Sequence, residues 1–580
     1  MKKLSLILAI LTIIFFNSFS QTNYYISESA DSQNDCLSET NPCNLEKFNT
    51  IKISDFSKVL FKKGEVFRGE IATLKSPTNI VYTSYGEGEN PILKGSIIIK
   101  NWKKNTNGLS ENVYESDVTS QVPESGIIHV FINGEPATIA RYPNAFSPKQ
   151  YGDNIWLETD GSDAAQTFFD KELADYGKPD NYWTGATLRI RNYSWTYTVG
   201  EISNYTAKTG TVKSDRLGKE QLPGWGYFID GKLEELDYPN EWFYDKTTKK
   251  LYVYCPKGEN PENNIIEAII YETGISITNH EDNCSVSGID FAHYASKAIN
   301  INSSNNISIE NCKISYCQQG IYFWNCANTK IIGNLIHNCF QNSIVMTSEA
   351  AFENGKCIVS ENTILNSAMM PLYTSRWDGT QTPAAINVAL SNSLVEKNII
   401  RNTCYSGITL KGTGGHFIEK NVIDSTMILL NDGGCIQLSD AGNNTIRNNF
   451  LSNAIGNTDK SNGWGSSSGM HHPSYGMGIG ADPTDPQNII AENNTVFNNH
   501  DVGIRYNGAD NSSLKNNTFY GNHDEQILLT TNDDACSKIS IEDNILYGLS
   551  VHARGLVIAF TKNGSTIEKA DRNYYCNPYN

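Results

Sequence analysis

The sequence predicts an all-β protein, a single-stranded parallel β-helix that carries an inserted β-rich subdomain. Three observations lead to this prediction. An Asn-containing phrase with alternating apolar and polar residues recurs through the second half of the chain. The alternation has a period of two, which is typical of strands and not of helices. An aromatic-rich segment in the first half breaks the repeat with hairpin-like strands.

The chain begins with a segment typical of a secretory signal peptide. Two lysines precede an apolar run over residues 4–16, and small residues follow it. We therefore predict a signal peptide over residues 1–20, cleaved near Gln21. The apolar run is too short to favour a membrane span. We expect a soluble bacterial protein, secreted or periplasmic, with no membrane insertion.

The charge of the chain excludes several partners. Its net charge is −17 and its isoelectric point is about 5.1. Because nucleic acids and anionic membranes repel such a surface, we expect neither as a partner. We also expect a monomer.

Residues 21–130 are predicted to form an N-terminal cap and the first coils, from short strands such as those in 58–71. Cys36 and Cys43 flank a short polar loop in an exported chain, so they are candidates for a disulfide. No Cys-x-x-Cys pair has a matching partner pair, so a zinc site is not indicated. Four cysteines in alternating runs are interpreted as small buried apolar residues: Cys312, Cys326, Cys357 and Cys435.

Residues 131–270 break the repeat pattern and are predicted to be the β-rich insertion. They contain many aromatic residues and strand-like runs separated by turn residues, as in 132–145 and 240–257. We expect this insertion to pack on the β-helix.

Residues 271–580 carry the repeat and are predicted to be the main β-helix. A spacing of 23 residues recurs three times, and longer spacings are interpreted as coils with inserted loops. Asn suits a tight corner because it tolerates left-handed backbone, and stacked Asn side chains can bond along a ladder. The predicted corner asparagines are Asn311, Asn334, Asn362, Asn398, Asn421, Asn448, Asn493, Asn516 and Asn544.

The coils align on four isoleucines of one strand position, Ile408, Ile436, Ile479 and Ile504. These residues and their i+2 neighbours are predicted to point inward. The alternate positions then form two outward lanes: Thr409, Gln437, Gly480 and Arg505 in one, and Lys411, Ser439, Asp482 and Asn507 in the other. We expect Gly480 to leave open space beside Asp482, where a sugar ring could approach.

Several of these segments resemble a known class of proteins. The motifs are "FINGEPATIARYPN" (131–144), "NDGGCIQL" (431–438) and "GMGIGADPTDPQNIIAENNTVFNN" (476–499). Together they are similar to the right-handed parallel β-helix carbohydrate-active enzymes of the pectate-lyase-like superfamily, nearest to glycoside hydrolase families 120 and 141. The resemblance implies right-handed coiling, a sugar substrate and a catalytic pair of Asp432 and Asp482.

Glycoside hydrolysis needs two carboxyl groups that flank the bond. The alignment places Asp440 almost in column with Asp482, whereas a fully extended chain would separate Asp432 from Asp482 by up to about 20 Å. Asp432 can reach Asp482 only if the Gly433–Gly434 segment folds the chain over the groove. Asp482, Asp432 and Asp440 are all kept as catalytic candidates, with turn capping as the competing interpretation for the last two.

Aromatic and polar residues on the same outward surface predict a substrate groove along the helix axis. On a β-helix such residues are also often ordinary solvated surface, and the insertion could cover the aromatic ones. The predicted substrate-binding residues are Lys411, Gln437, Arg505, Trp324, Tyr373, Arg376, Trp377 and His472.

Three functions remain open from the sequence. The first is hydrolysis of a plant or algal polysaccharide by a carboxylate pair, without a cofactor or a metal. The second is a polysaccharide lyase that uses Lys411 or Arg505 as base, with calcium on the neighbouring acids. The third is a carbohydrate-binding β-helix without catalysis.

Overall fold

The computed structural model describes residues 21–72, 77–106, 108–217, 223–255, 259–348, 356–370, 383–412, 414–439, 442–463, 475–482, 487–531, 535–560 and 563–579. Residues 1–20, the predicted signal peptide, lie outside this part of the chain. Within it, three long parallel sheets wind around one apolar core, so the predicted right-handed, single-stranded parallel β-helix is confirmed.

The three sheets of the β-helix are named A, B and C. Sheet A contains, in spatial order, Thr22–Ile26, Ser57–Lys62, Val81–Tyr85, Ser285–Ser287, Ser308–Glu310, Lys330–Ile332, Ile358–Ser360, Leu394–Glu396, Phe417–Glu419, Thr445–Arg447, Ile490–Glu492, Ser513–Lys515, Ile539–Glu542 and Ile567–Asp571. Sheet B contains Thr273–Thr278, Lys297–Asn302, Gln319–Trp324, Ile344–Thr347, Ile386–Val388, Ile408–Leu410, Gly433–Ser439, Gly476–Asp482, Ile504–Asn507, Glu525–Thr530 and Arg554–Ala559. Sheet C contains Val66–Arg68, Ile92–Lys94, Asp290–Ala292, Lys313–Ser315, Leu335–His337, Thr363–Ser367, Ile399–Thr403, Val422–Thr426, Phe450–Ala454, Thr495–Phe497, Thr518–Tyr520, Ile545–Tyr547 and Tyr574–Cys576.

The register of sheet B confirms the predicted alignment of the coils. Ile408 pairs with Ile436, Ile436 with Ile479, and Ile479 with Ile504, and all four are fully buried. Their i+2 neighbours, Leu410, Leu438, Ala481 and Tyr506, are buried as well. The inward lanes follow from the period of two because alternate side chains of a strand point to opposite faces.

The asparagines occupy two adjacent columns, and not the single column predicted. Five of the nine belong to a buried ladder in which each side chain bonds to the next coil: Asn334, Asn362, Asn398, Asn421 and Asn544. The other four have positive φ and form the corner itself: Asn311, Asn448, Asn493 and Asn516. In three of those coils the ladder residue comes one position later, at Asn449, Asn494 and Asn517. The ladder satisfies polar groups that burial would otherwise leave unpaired.

The insertion interrupts the β-helix between the coil that contains Ile92–Lys94 and the coil that begins at Thr273–Thr278. Its first sheet contains Glu135–Pro136, Val130–Ile132, Ile266–Ile269 and Ser96–Ile98, so pairing starts upstream of the predicted boundary at residue 131. The other sheets contain Thr138–Ile139, Glu241–Asp245, Lys250–Tyr254, Val113–Asp117 and Lys103–Lys104; then Arg141–Tyr142, Gly226–Asp230, Thr187–Tyr193, Thr196–Glu201 and Leu157–Glu158; and finally Thr167–Phe168, Thr211–Lys213 and Asn204–Thr206.

Helices are few in the described residues. Two short α-helices span Leu45–Phe48 and Lys171–Asp175, and short 3-10 helices span Asp153–Ile155, Leu233–Glu235 and Pro261–Asn263. None of the helices in the described part of the chain has the length and apolar character needed to cross a lipid bilayer. Cys36 and Cys43 form the predicted disulfide, and the four cysteines predicted to be buried are buried.

Candidate active site

Three neighbouring strands of sheet B carry the candidate site: Gly433–Ser439, Gly476–Asp482 and Ile504–Asn507. Their register sets Gln437 beside Gly480 and Gly480 beside Arg505, with Asp482 next to Ser439. These are the two outward lanes predicted from the sequence. Thr409 and Gln437 are nonetheless buried, so another part of the chain covers this end of the lane.

Asp432 lies at the start of its strand and is held by its backbone. Its φ is +64°, a left-handed conformation that Asp tolerates better than most residues. The Asp432 N–H donates to the carbonyl of Tyr475 at 3.0 Å, and the Tyr405 hydroxyl donates to the Asp432 carbonyl at 2.6 Å. A Cβ at Gly433 would lie 2.6 Å from the Tyr405 ring, so glycine is required where the tyrosine packs beneath the chain.

Arg505 reaches from its lane toward Asp432. Its Nη1 lies 4.0 Å from the Asp432 Oδ1 and donates to the Tyr475 hydroxyl. Burial acts to lower the pKa of Arg505, but Tyr475 and the carboxylates of Asp482 and Asp432 outweigh it and raise the pKa. The guanidinium therefore stays charged and stabilises negative charge between the two aspartates.

Asp482 lies at the far end of the neighbouring strand and is held by a side chain. The Gln437 amide donates from Nε2 to Asp482 Oδ2 at 2.6 Å. A Cβ at residue 480 would lie 2.4 Å from Gln437 Oε1, so the space above Gly480 holds the Gln437 amide. The prediction that Gly480 leaves room for a sugar ring is therefore wrong. Gln437 Oε1 is buried without a hydrogen-bond partner among the described residues.

One of the two carboxyl groups has a raised pKa. Burial, followed by the negative charge of Asp482, raises the pKa of Asp432 to about 6, while Arg505 opposes the rise. The same two aspartates act on one buried hydroxyl: burial first, then Asp432 and Asp482, raise the pKa of Tyr405 well above its ordinary value. Asp432 therefore keeps its proton to a higher pH than a free aspartate does, next to a second carboxylate.

The strand that follows Asp432 is irregular, so Asp432 and Asp482 are not separated as a fully extended chain would separate them. Its backbone is left-handed at Asp432, and the ladder to the next coil skips Cys435 between the pairs at Gly434 and Ile436. A Cβ at Gly478, opposite Cys435, would lie 2.2 Å from Val496, which shows how closely the chain approaches the core there. The charge of Asp482 acts on Asp432, so the two carboxyl groups lie close enough to interact.

The remaining predicted residues have mixed outcomes. Lys411 is exposed just beyond its strand, on the far side of the strand that carries Gln437. Trp324 is half-buried in the same column as Asp482, but five strand spacings away, about 24 Å. The other predicted residues lie outside the described part of the chain: Asp440, Tyr373, Arg376, Trp377 and His472.

Two tyrosines of the site escaped prediction from the sequence. Tyr475 precedes its aligned isoleucine, Ile479, by the same four residues that separate Asp432 from Ile436, so extending the coil alignment backwards would have found it. Tyr405 is buried beneath Gly433, and no sequence pattern indicates that contact.

One cluster of acids in the described residues has the geometry of a metal site. Ligand oxygens of Asp501, Asp524 and Glu525 lie within 4.8 Å of one another. Glu525 is also paired with Arg554, which supplies part of the neutralising charge. The cluster includes neither Asp432 nor Asp482, the acids on which calcium was expected for a lyase.

The fold and the site together define a right-handed parallel β-helix protein with a paired-carboxylate site. A family model described as "Right handed beta helix region" matches residues 384–573, and one described as "Periplasmic copper-binding protein (NosD)" matches residues 257–478. No curated protein matches the chain.

Two solved structures are similar over nearly the whole chain. One is described as "Glycoside hydrolase"; it has 12% sequence identity and a TM-score of 0.59, and the match covers 95% of this chain and 96% of that one. The other is XylC in complex with xylose; it has 12% identity and a TM-score of 0.51, with 92% and 86% covered. The resemblance to β-helix carbohydrate-active enzymes is thereby confirmed at the level of the fold.

Proposed function

We propose that this protein is a glycoside hydrolase that cleaves a plant or algal polysaccharide outside the cytoplasm. The observation that carries the proposal is the raised pKa of Asp432, about 6, beside a second carboxylate, Asp482. Glycoside hydrolysis requires a protonated carboxylic acid and a second carboxylate in one site.

Asp432 is proposed as the general acid. Protonated Asp432 gives its proton to the glycosidic oxygen as the bond to the leaving sugar breaks. The new carboxylate then lies 4.0 Å from the Arg505 guanidinium, which stabilises the charge it has acquired.

Asp482 is proposed as the second carboxylate, either as the nucleophile or as the base that activates water. The Gln437 amide orients it through the 2.6 Å hydrogen bond and favours its ionised form. The positive charge that develops on the sugar during bond cleavage is stabilised by this carboxylate.

The geometry supports a hydrolase over a lyase. A lyase needs a deprotonated base at the site, but the pKa of Arg505 is raised and burial raises the pKa of Tyr475 as well, so both side chains keep their protons. Lys411 is exposed and separated from Asp482 by the strand that carries Gln437. The described residues thus offer a carboxyl group of raised pKa beside a second carboxylate, and the Arg505 guanidinium next to them is suited to stabilise charge rather than to abstract a proton.

The similar solved structures support the choice of substrate class. A glycoside hydrolase and a xylose complex share the fold across more than nine-tenths of this chain. The signal-like N-terminus predicted from the sequence agrees with a substrate outside the cell.

The test is to incubate the purified protein with a panel of neutral and uronate-containing polysaccharides. We expect new reducing ends without the ultraviolet absorbance of an unsaturated product. Asp432→Asn and Asp482→Asn should each lower kcat by about 10²- to 10⁴-fold. Asp215→Asn is the matched control, because that carboxylate is exposed in the insertion.

Each alternative has its own outcome in this test. Full activity of Asp482→Asn would show that the site is assigned wrongly. Unsaturated products that disappear with a chelator would identify a lyase instead. Binding to the panel with no products would favour the non-catalytic carbohydrate-binding protein.

A further inference from the structure

A hairpin of the insertion ends beside the catalytic pair. It is formed by the antiparallel strands Thr187–Tyr193 and Thr196–Glu201, and Ser194 and Trp195 form its tip. The carbonyl of Ser194 accepts a hydrogen bond of 2.7 Å from the N–H of Asn431, the residue before Asp432. The tip therefore adjoins the backbone that positions the proposed general acid.

Two aromatic side chains at this tip remain exposed. Tyr193 is 42% exposed and Trp195 is 39% exposed, and Ser194 between them is buried. Their rings lie nearly parallel, with centroids 5.5 Å apart and planes inclined by 21°. Other aromatic residues close to them in the same subdomain are buried, including Tyr197 and Trp156. Leaving two large rings in water costs free energy, so this exposure calls for an explanation.

The hairpin that presents these rings is fixed. The buried guanidinium of Arg191 forms an ion pair of 2.8 Å with Asp459 and stacks over the Trp156 ring at 4.2 Å. The Tyr197 hydroxyl donates to the carbonyl of Leu429 at 3.2 Å, three residues before Asp432. The rings are therefore held on a rigid support that spans the insertion and the coil of the catalytic site.

We infer that Tyr193 and Trp195 form a sugar-binding platform, a subsite next to the catalytic pair that stacks on pyranose rings of the substrate. Aromatic faces bind the C–H faces of sugars, and rings already held parallel lose little entropy when a chain binds. Two neighbouring rings can stack on two sugar units, or on two faces of one sugar chain. The platform therefore fits an oligosaccharide better than a single terminal sugar.

The platform also indicates the substrate class. The C–H face available for stacking is largest in neutral pyranosides whose substituents are equatorial, as in β-linked xylose or glucose. The neighbouring Asp482 and Asp432 and the net charge of −17 disfavour a uronate chain. This inference rests on the proposed function for its location, and it predicts a neutral oligosaccharide that extends beyond the cleaved bond.

The test measures binding apart from catalysis. In the Asp482→Asn background, Tyr193→Ala and Trp195→Ala are titrated with neutral oligosaccharides by calorimetry and compared by retention in polysaccharide gels. Each substitution should weaken binding by about threefold to tenfold. Trp195→Phe should restore most of the affinity, which a merely structural loss would not predict.

The chain offers a matched control. Tyr520 is 44% exposed and stacks on Tyr547 with centroids 5.2 Å apart, but it belongs to sheet C. Tyr520→Ala should leave the affinity unchanged.

The outcomes separate this inference from the proposed function. Unchanged affinity in both platform variants overturns the platform, even if Asp482→Asn has lost activity. Weaker binding in the platform variants supports the platform, even if Asp482→Asn keeps full activity and the catalytic assignment fails. If the protein binds no neutral polysaccharide at all, the platform is also overturned.

Discussion

Arg505→Met is the substitution that tests the electrostatics of the site most directly. In the native protein the Arg505 guanidinium lies 4.0 Å from the Asp432 carboxylate and opposes the rise in its pKa. Methionine keeps much of the packing and removes the charge. Because the ionised form of Asp432 then loses its nearest cation, its pKa must rise further.

The size of the rise follows from the distance. Two unit charges 4 Å apart interact by about 4 kcal/mol at an effective dielectric constant of about 20, and by about 1 kcal/mol in bulk water. The side chains of Arg505 and Asp432 are 13% and 26% exposed, so the effective value lies between these limits. Since 1.36 kcal/mol corresponds to one pKa unit, we expect a rise of about one to two units from the native value of about 6.

The assay is the pH dependence of kcat/KM on the substrate found in the polysaccharide panel. A general acid must be protonated, so the rate should fall as the pH rises through the pKa of Asp432. The falling limb of this pH profile reports the coupled pair of Asp432 and Asp482. Its midpoint should move from near pH 6 to about pH 7–8 in Arg505→Met. Arg447→Met is the matched control, because Arg447 pairs with Glu419 on sheet A, and its limb should not move. A limb that stays in place in Arg505→Met, or moves to lower pH, would refute the reasoning.

Three further predictions concern the ladder, a buried acid and the support of Asp432. Asn449→Ala removes four ladder hydrogen bonds and should lower the free energy of unfolding by about 2–4 kcal/mol in denaturant titrations. Asn448→Gly is the control and should be nearly neutral, because Asn448 has a φ of +57° that glycine adopts readily. Equal effects of the two substitutions would contradict the two-column ladder. Burial raises the pKa of Asp501 well above its ordinary value, so its stabilising contribution is full below about pH 3.9 and declines as the pH rises. Asp501→Asn should therefore raise Tm in alkaline buffer and much less in acid, and an equal gain at both would reject this account. Tyr405→Phe removes the 2.6 Å hydrogen bond to the Asp432 carbonyl and should lower kcat with little change in KM. An unchanged kcat would show that this hydrogen bond does not position the Asp432 carboxyl group.

The local pattern of the sequence was enough to predict the fold and its inward faces. Ile408, Ile436 and Ile479 align because each coil repeats the same alternation, and burial of one face follows from strand geometry alone. The asparagine ladder was predicted in kind but not in position. Asn448 and Asn449 are adjacent and chemically identical, so composition cannot tell the corner residue from the buried one.

The proximity of Asp432 and Asp482 was only partly predictable. The resemblance of the motifs indicated Asp432 and Asp482, but the geometry of a regular strand predicted that these two residues lie too far apart to act together. The left-handed turn at Asp432 depends on Tyr405 packing beneath Gly433, a contact between different coils. Local rules cannot supply such a turn, because they treat each strand as straight.

The sequence by itself determined that this chain coils into a β-helix with acids on one outward surface, because repeat and alternation are short-range properties. Only the tertiary structure decided that the pKa of Asp432 is raised and which groups lie beside it. A pKa depends on burial and on charges from other coils, and the hairpin tip at Ser194 bonds to Asn431, next to Asp432, from a subdomain more than two hundred residues earlier in the chain. Residues so far apart in the sequence come together only when the insertion packs on the β-helix.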